Sequence, residues 1–279
     1  MKKLRHILAR VLIYAFLAAG MAAILVPLYL LVINAFKTTP ELLSDYFGLP
    51  SSFRLDNFQT VLSKANYFTY LGNSALVTLL SAIGVYLVIP TTSFVIARRM
   101  EKHRYFKFLY YFIILGIFVP FQTKMLALVQ MMSSLRLLNT WGLVILYVVG
   151  ALGADVFLMV GYIKAIPRDM EEAAIIDGCS RLKSIFLIVY PVVMPMISAV
   201  LIKDVLWFWN DFLLPLVVVG GNLKAWTLQL FQYNFKSTYS VDYPLAYAAY
   251  LISMLPVLLV YLFASRQITE GLTEGAVKS

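Results

Sequence analysis

Long apolar runs alternate with short polar, basic stretches from one end of the chain to the other. A helix needs roughly 20 apolar residues to cross the ~30 Å hydrocarbon core of a bilayer. Runs of that length fall at 11–36, 73–97, 108–131, 141–166, 192–219 and 246–265. The pattern predicts an all-α, polytopic membrane protein of six transmembrane helices with both termini on one side. The first run follows Lys2, Lys3, Arg5 and Arg10 and is too long for the apolar region of a signal peptide, so it reads as an uncleaved span. The connection 37–72 holds Pro, Gly and Ser, which break any long element.

Composition supports lipid as the solvent. Of 279 residues 61% are hydrophobic and only 13% are charged, about half the charged share of a soluble domain. The net charge of +9 reads as basic loops that set topology rather than as a nucleic-acid surface. Lys and Arg concentrate before the first run, between the second and third, between the fourth and fifth, and after the sixth. Those segments are the cytoplasmic ones by the positive-inside rule. The organisation is then a cytoplasmic N-terminus (1–10), a first span (11–36), an extracytoplasmic loop (37–72), a five-helix core (73–265) containing a cytoplasmic loop (166–191), and a cytoplasmic tail (266–279). Cys179 is the one cysteine, and His6 and His103 lie among basic loop residues. No internal disulfide, thiolate metal cluster or Ser/His/Asp set is expected, so the chain reads as a non-enzyme.

The cytoplasmic stretch "EEAAIIDGCSRLKSIFLIVYPVVMP", from Glu171, does not look like a plain linker. Pro167 suits an early helical position, where its missing N–H wastes no bond. Asp169, Glu171 and Glu172 suit the positive end of the helix dipole. Ala173, Ala174 and Ile176 make a small apolar patch at neighbouring helical positions. Asp177-Gly178 supplies a turn, a second helix starts near Ser180, and Pro191 and Pro195 disturb the start of the fifth span. Physical chemistry alone leaves two readings open: a helical element that docks in a groove of a cytoplasmic partner, or an amphipathic helix lying on lipid or on its own bundle.

The spacing Glu172-Ala173-Ala174, three residues, Gly178, nine residues, Ile188, one residue, Tyr190-Pro191 resembles the EAA loop of permeases in ATP-binding-cassette (ABC) importers. Tyr190 departs from the pattern, where Leu is usual. "NSALVTLLSA" from Asn73, "WNDFLLPLV" from Trp209 and the C-terminal "EGLTEGAVKS" are similar to the carbohydrate-uptake, maltose-type branch, specifically its smaller six-span permease. The resemblance implies a type I importer permease fold in a bacterial or archaeal cytoplasmic membrane. It implies an ATPase pair below, a second homologous permease beside, and an extracytoplasmic solute-binding protein that delivers a sugar. Glu171, Glu172, Ala173, Ala174, Ile176, Asp177 and Gly178 would couple to the ATPase, with Glu172 making a charged contact and Gly178 the turn. No G-x-x-x-x-G-K-[ST] occurs, so the chain carries no cofactor by that route, and ATP and Mg would belong to the partner ATPase.

Polar residues inside spans carry a functional expectation. In "VLIKDVLWFWNDFLLP", Asp204, Trp207 and Asp211 share a helical face, with Lys203 and Asn210 on an adjoining stripe. Asp204, Trp207, Asn210 and Asp211 are the expected lining of a translocation path: a ring for the CH faces of a sugar, and carboxylates and amides for its hydroxyls. The structural alternative is that Lys203 neutralises Asp204 or a carboxylate on another helix. Asp155, Gln122 and Lys124 are weaker candidates. Other functional readings are an importer of glycerol-phosphate or another polyol derivative, which should place extra cations in the path, and an ion-coupled secondary transporter, which should show internal repeats.

Overall fold

The computed structural model describes residues 2–63, 66–232 and 242–276, and among these the regular structure is all helical, with no strand. Five helices are long and apolar enough to cross a membrane, or six spans if one bent pair counts as a span. Lys64, Lys236 and Lys278 lie outside the described residues. The chain divides into two compact units, residues 1–68 with 231–255 and residues 69–230 with 256–279.

The first unit begins with α1 (Lys2–Ala35), a helix of 34 residues. Its apolar side chains are nearly all exposed within this chain, which only lipid or another apolar surface tolerates. Its last carbonyls are tied down. The Asn57 amide donates to Ala35 and Lys37 carbonyls, each at 2.9 Å, which satisfies acceptors that a helix end leaves open. Lys37 is not a solvated loop cation: it is buried, and its ammonium donates to the Asp45 carbonyl at 2.7 Å. Two short helices, α2 (Thr39–Ser44) and α3 (Asp56–Ser63), fill the connection. Between them the Ser51 amide donates to Glu41 at 2.5 Å.

The second unit holds α4 (Tyr67–Arg99, from Thr69 on), α5 (Arg104–Leu115), α6 (Phe121–Ser134), α7 (Thr140–Lys164), α8 (Asp169–Ile176), α9 (Arg181–Ser184), α10 (Tyr190–Asn210) and α11 (Leu213–Val219). The last helix, α12 (Tyr243–Ala276), contributes its residues from Pro256. Helix α7 is the centre: Leu143, Tyr147, Val156, Met159 and Ile163 are fully enclosed, and it packs on α5, α10 and α11. Asn139 starts it by accepting from the amides of Trp141 and Gly142 at 3.0 and 3.1 Å, satisfying donors that the first turn leaves free.

Two expected spans are not straight. The run 108–131 is broken: α5 ends in a short 3-10 turn, and α6 leaves at 109° to it. The cause is Pro120, which has no N–H and pushes Val119 into extended backbone. The run 192–219 is broken at Asp211, whose backbone is extended. The Asp211 carboxylate accepts the Leu213 amide at 3.1 Å and opens α11, and Pro215 sits in that helix's first turn, where no N–H is missed.

Candidate functional site

The 166–190 segment is folded as a helix, a turn and a second helix. Asp169, Glu171 and Glu172 occupy the first turn of α8, where the helix dipole favours them. The helix ends in a Schellman motif. The Gly178 amide donates to the Ile175 carbonyl at 3.0 Å and the Cys179 amide to the Ala174 carbonyl at 2.9 Å, with Gly178 at φ +89°. A side chain there would meet open space, so glycine answers to the backbone angle and not to crowding. Glu172, Ala173, Ile176 and Asp177 are exposed, Ile176 to 84%, whereas Ala174 is buried. The small apolar patch is therefore split. Ala174 faces the protein, and Ala173 and Ile176 face away with Glu172.

Glu171, not Glu172, makes the charged contact within the chain. Arg98, at the end of α4, donates from Nε at 2.7 Å to Glu171 Oε1, and its Nη2 lies 2.6 Å from the same oxygen. Arg98 Nη2 also donates to the Ile166 carbonyl at 3.1 Å. Nothing in the local spacing marks Arg98, because it lies 73 residues from its partner. Beside this pair Arg168 and Lys164 reach Glu101 at 3.1 and 3.7 Å.

Farther along, α9 runs through a single π-helical turn, Ile185–Val189, into α10. The Tyr190 amide accordingly bonds back five residues, to Ile185, and the wider turn makes room for Pro191 at the start of α10. Tyr190 is buried and its hydroxyl donates to the Tyr86 carbonyl at 3.2 Å.

In α10 the polar residues divide between two environments. Asp204 on α10 and Asp155 on α7 are both fully buried. Lys203 Nζ lies 2.5 Å from Asp155 Oδ1 and 2.8 Å from Asp204 Oδ1. Lys203 thus serves both a carboxylate on its own helix and one on a neighbour. Lys203, Trp207 and Asn210 follow one another at four and three residues and are exposed, forming one stripe. Asp211 lies past the end of α10 yet stays with Trp207 through α7. The Tyr147 hydroxyl donates to Asp211 Oδ2 at 3.1 Å, and the Tyr147 ring meets Trp207 edge-on with centroids 5.6 Å apart. Gly150 lets Trp207 lie this close, since a Cβ there would come within 2.9 Å of the indole.

A separate apolar cavity of about 280 Å³ lies between α4, α10 and α12. Ala75, Thr78, Leu79 and Ala82 line it from α4, and Val205, Leu206 and Trp209 from α10. None of the four residues expected to line a path does. At the start of α4, Asn73 donates to the Lys224 and Trp226 carbonyls at 2.8 and 2.9 Å, and Ser74 accepts the Leu228 amide at 2.8 Å.

Residues 89–272 match the family described as binding-protein-dependent transport system inner membrane component. The chain is 41% identical over 266 residues to the multiple sugar-binding transport system permease protein MsmG of Streptococcus mutans, covering 95% of this chain and 96% of that one. It is 32% identical to the probable starch degradation products transport system permease protein AmyC of Thermoanaerobacterium thermosulfurigenes, covering 90% and 91%. Its fold is similar to a chain in the crystal structure of a bacterial ABC transporter that imports the acidic polysaccharide alginate, with a TM-score of 0.79 at 16% identity over 93% of this chain and 96% of that one. The chain belongs to the family of binding-protein-dependent transport system inner membrane components and is an ABC-transporter permease, a membrane-embedded transport subunit with no catalytic role of its own.

Proposed function

We propose that this permease forms half of the translocation path of an ATP-driven importer of a sugar or oligosaccharide and that the 166–191 loop couples it to a cytoplasmic ATPase. The observation that carries the coupling role is the presentation of α8. Its inner side is held by the Arg98–Glu171 pair, while Glu172, Ala173 and Ile176 point away from the chain. An apolar side chain as exposed as Ile176, beside a carboxylate and a small residue, suits insertion into a groove of another protein. Glu171 to Gly178 then act together: Glu171 holds the helix from behind, Glu172 offers the charge, and Gly178 sets the turn. ATP and Mg bind to the partner subunits.

Sugar as cargo rests on the names of relatives such as MsmG and on the exposed stripe of α10. An ammonium, an indole and an amide in one line inside a span are poorly placed against lipid and well placed beside a water-filled path. Trp207 gives a flat apolar face, and Asn210 and Asp211 give groups for hydroxyls. Asp204 contributes behind that surface, as charge partner of Lys203. Because Lys203 faces two carboxylates, it offers no spare positive charge, which favours a neutral sugar over a phosphate ester. Within this reading both termini are cytoplasmic, the 37–72 loop is outside, and a second homologous permease and a solute-binding protein complete the transporter.

Mass spectrometry of what co-purifies with the tagged chain in mild detergent tests the reading. Stoichiometric ATPase and a second permease, followed by uptake of radiolabelled sugar, is the expected result. A stable, monodisperse chain that purifies alone refutes it.

A further inference from the structure

The chain joins the 166–190 segment covalently to α7 and α10 only. Side chains join it to a third span. Arg98 grips Glu171 and the Ile166 carbonyl near the end of α4, and Tyr190 reaches the Tyr86 carbonyl 12 residues earlier on the same helix. The two contacts bracket Pro90. That proline removes the N–H that would bond Tyr86 in a regular helix, so α4 is weakest between the two grips. Tyr190 donates to the very carbonyl that Pro90 leaves open.

We propose that Arg98 and Tyr190 clamp the C-terminal half of α4 to the loop, so that displacement of the loop moves α4 together with α7 and α10. The inference rests on the coupling role proposed above. Arg98 is a positioning residue: it touches neither ATPase nor cargo, and acts by passing motion to α4. The Glu101 contacts with Lys164 and Arg168 are mostly exposed and contribute little, as exposed pairs generally do. The Arg98 pair is largely enclosed, and three donor contacts define its geometry. The far end of the lever is the apolar cavity. Ala82, on its wall, stands ~24 Å up the helix from Arg98 at 1.5 Å per residue. A pivot at the base therefore alters the α4 wall of that cavity against Val205, Leu206 and Trp209 of α10.

The test uses the co-purified transporter in lipid nanodiscs, with Cys179→Ser and two pairs of spin labels. One pair, at Ile175 and Leu87, reports the clamp. The other, at Leu79 and Val260, reports the cavity. Both are measured without nucleotide and with ATP trapped by vanadate. In the otherwise native chain the first distance stays constant while the second shifts. In Arg98→Lys with Tyr190→Phe, the first distance shifts or broadens and the second no longer responds; Glu101→Gln behaves as the native chain. If the double variant is not recovered, Arg98→Lys alone is expected to broaden the first distance, and an unchanged distance overturns the clamp. A first distance that changes in the native chain overturns it, as does a cavity that still responds in the double variant. A native transporter in which neither distance responds to ATP overturns the coupling reading itself.

Discussion

The Tyr190 hydroxyl sits 3.2 Å from the Tyr86 carbonyl, the one backbone acceptor of α4 that Pro90, four residues on, cannot bond. The family's loop pattern has Leu at the position of Tyr190. The departure has a chemical reason in this chain: a leucine would fill the same apolar space and leave that part-buried carbonyl without its donor. The Tyr86 and Tyr190 rings also meet edge-on at 5.5 Å, so the tyrosine keeps an apolar contact and adds a polar one.

Tyr190→Phe should therefore lower thermal stability in detergent by about 1–3 kcal/mol, the cost of an orphaned, part-buried acceptor. The loss should shrink when Pro90→Ala is added, because the alanine backbone supplies the missing N–H. Melting curves of the two single variants and the double variant form a cycle. Additive losses would show that the hydroxyl does not serve the carbonyl opened by Pro90.

Gly178 should be replaceable only by residues that accept a positive φ. At +89° an L side chain costs roughly 1–2 kcal/mol in left-handed backbone, and Asn tolerates it better than a branched residue. Gly178→Asn is expected to keep part of the uptake, and Gly178→Val to lose most of it, at equal abundance in the membrane. Uptake by Gly178→Val equal to that of the native chain would separate the turn from coupling.

What sequence made legible is what acts within one or two turns. Pro167, the three acids and Gly178 each bias their own neighbourhood, so α8 and its stop follow from local chemistry. Pro120 marks a break, yet not its 109° turn, which depends on what α5 and α6 pack against. The break at Asp211 had a local signal in the Asp-Phe-Leu-Leu-Pro run, an acceptor just before a helix with proline in its first turn, that hydrophobicity hid. The long-range pairs had none. Arg98 and Arg99 are adjacent and alike, yet one grips Glu171 and the other lies over the Phe106 ring at 5.7 Å. Which does which is set by the direction in which each side chain leaves α4 relative to a helix some 70 residues later.

The Asp155–Lys203–Asp204 cluster predicts an asymmetry among substitutions. Asp155→Asn and Asp204→Asn each leave one carboxylate for one ammonium, and both variants should fold. Lys203→Met leaves two buried carboxylates without a cation, a loss of roughly 3–5 kcal/mol when a buried pair is broken. The yield of monodisperse protein on size exclusion should fall sharply for Lys203→Met alone. Equal yields for all three would mean that the cluster is not what balances these charges.

Acid should loosen the 37–72 loop at Glu41. The Ser51 amide, donating to the carboxylate, holds the Glu41 carboxyl below its ordinary value, with smaller help from the Thr38 amide and Lys37. A group with a lowered folded-state value favours the fold above its unfolded value, and that contribution disappears as pH falls through the folded one. Hydrogen exchange at the Ser51 amide should thus show protection at neutral pH that is lost on the acid side of the usual carboxylate range. Glu41→Gln should remove the pH step; a step that persists in it belongs to another group.

Trp207 and Gly150 give the most specific test of the path. The indole lies over a glycine because only a glycine leaves room: an added methyl would come within 2.9 Å of the ring's far edge. Gly150→Ala must therefore shift Trp207 toward the exposed side of α10 without changing a polar group. If Trp207 lines the path, the shift narrows it and disturbs the ring's edge-on contact with Tyr147, which also holds Asp211. Uptake should then fall several-fold in Gly150→Ala, and Trp207→Phe in the same background should recover part of it by supplying a smaller ring. If Trp207 only anchors α10 to α7, both variants should lose thermal stability in step with uptake, and the smaller ring should not restore transport. Rates of uptake per assembled transporter, set beside melting temperatures of the same preparations, separate the two.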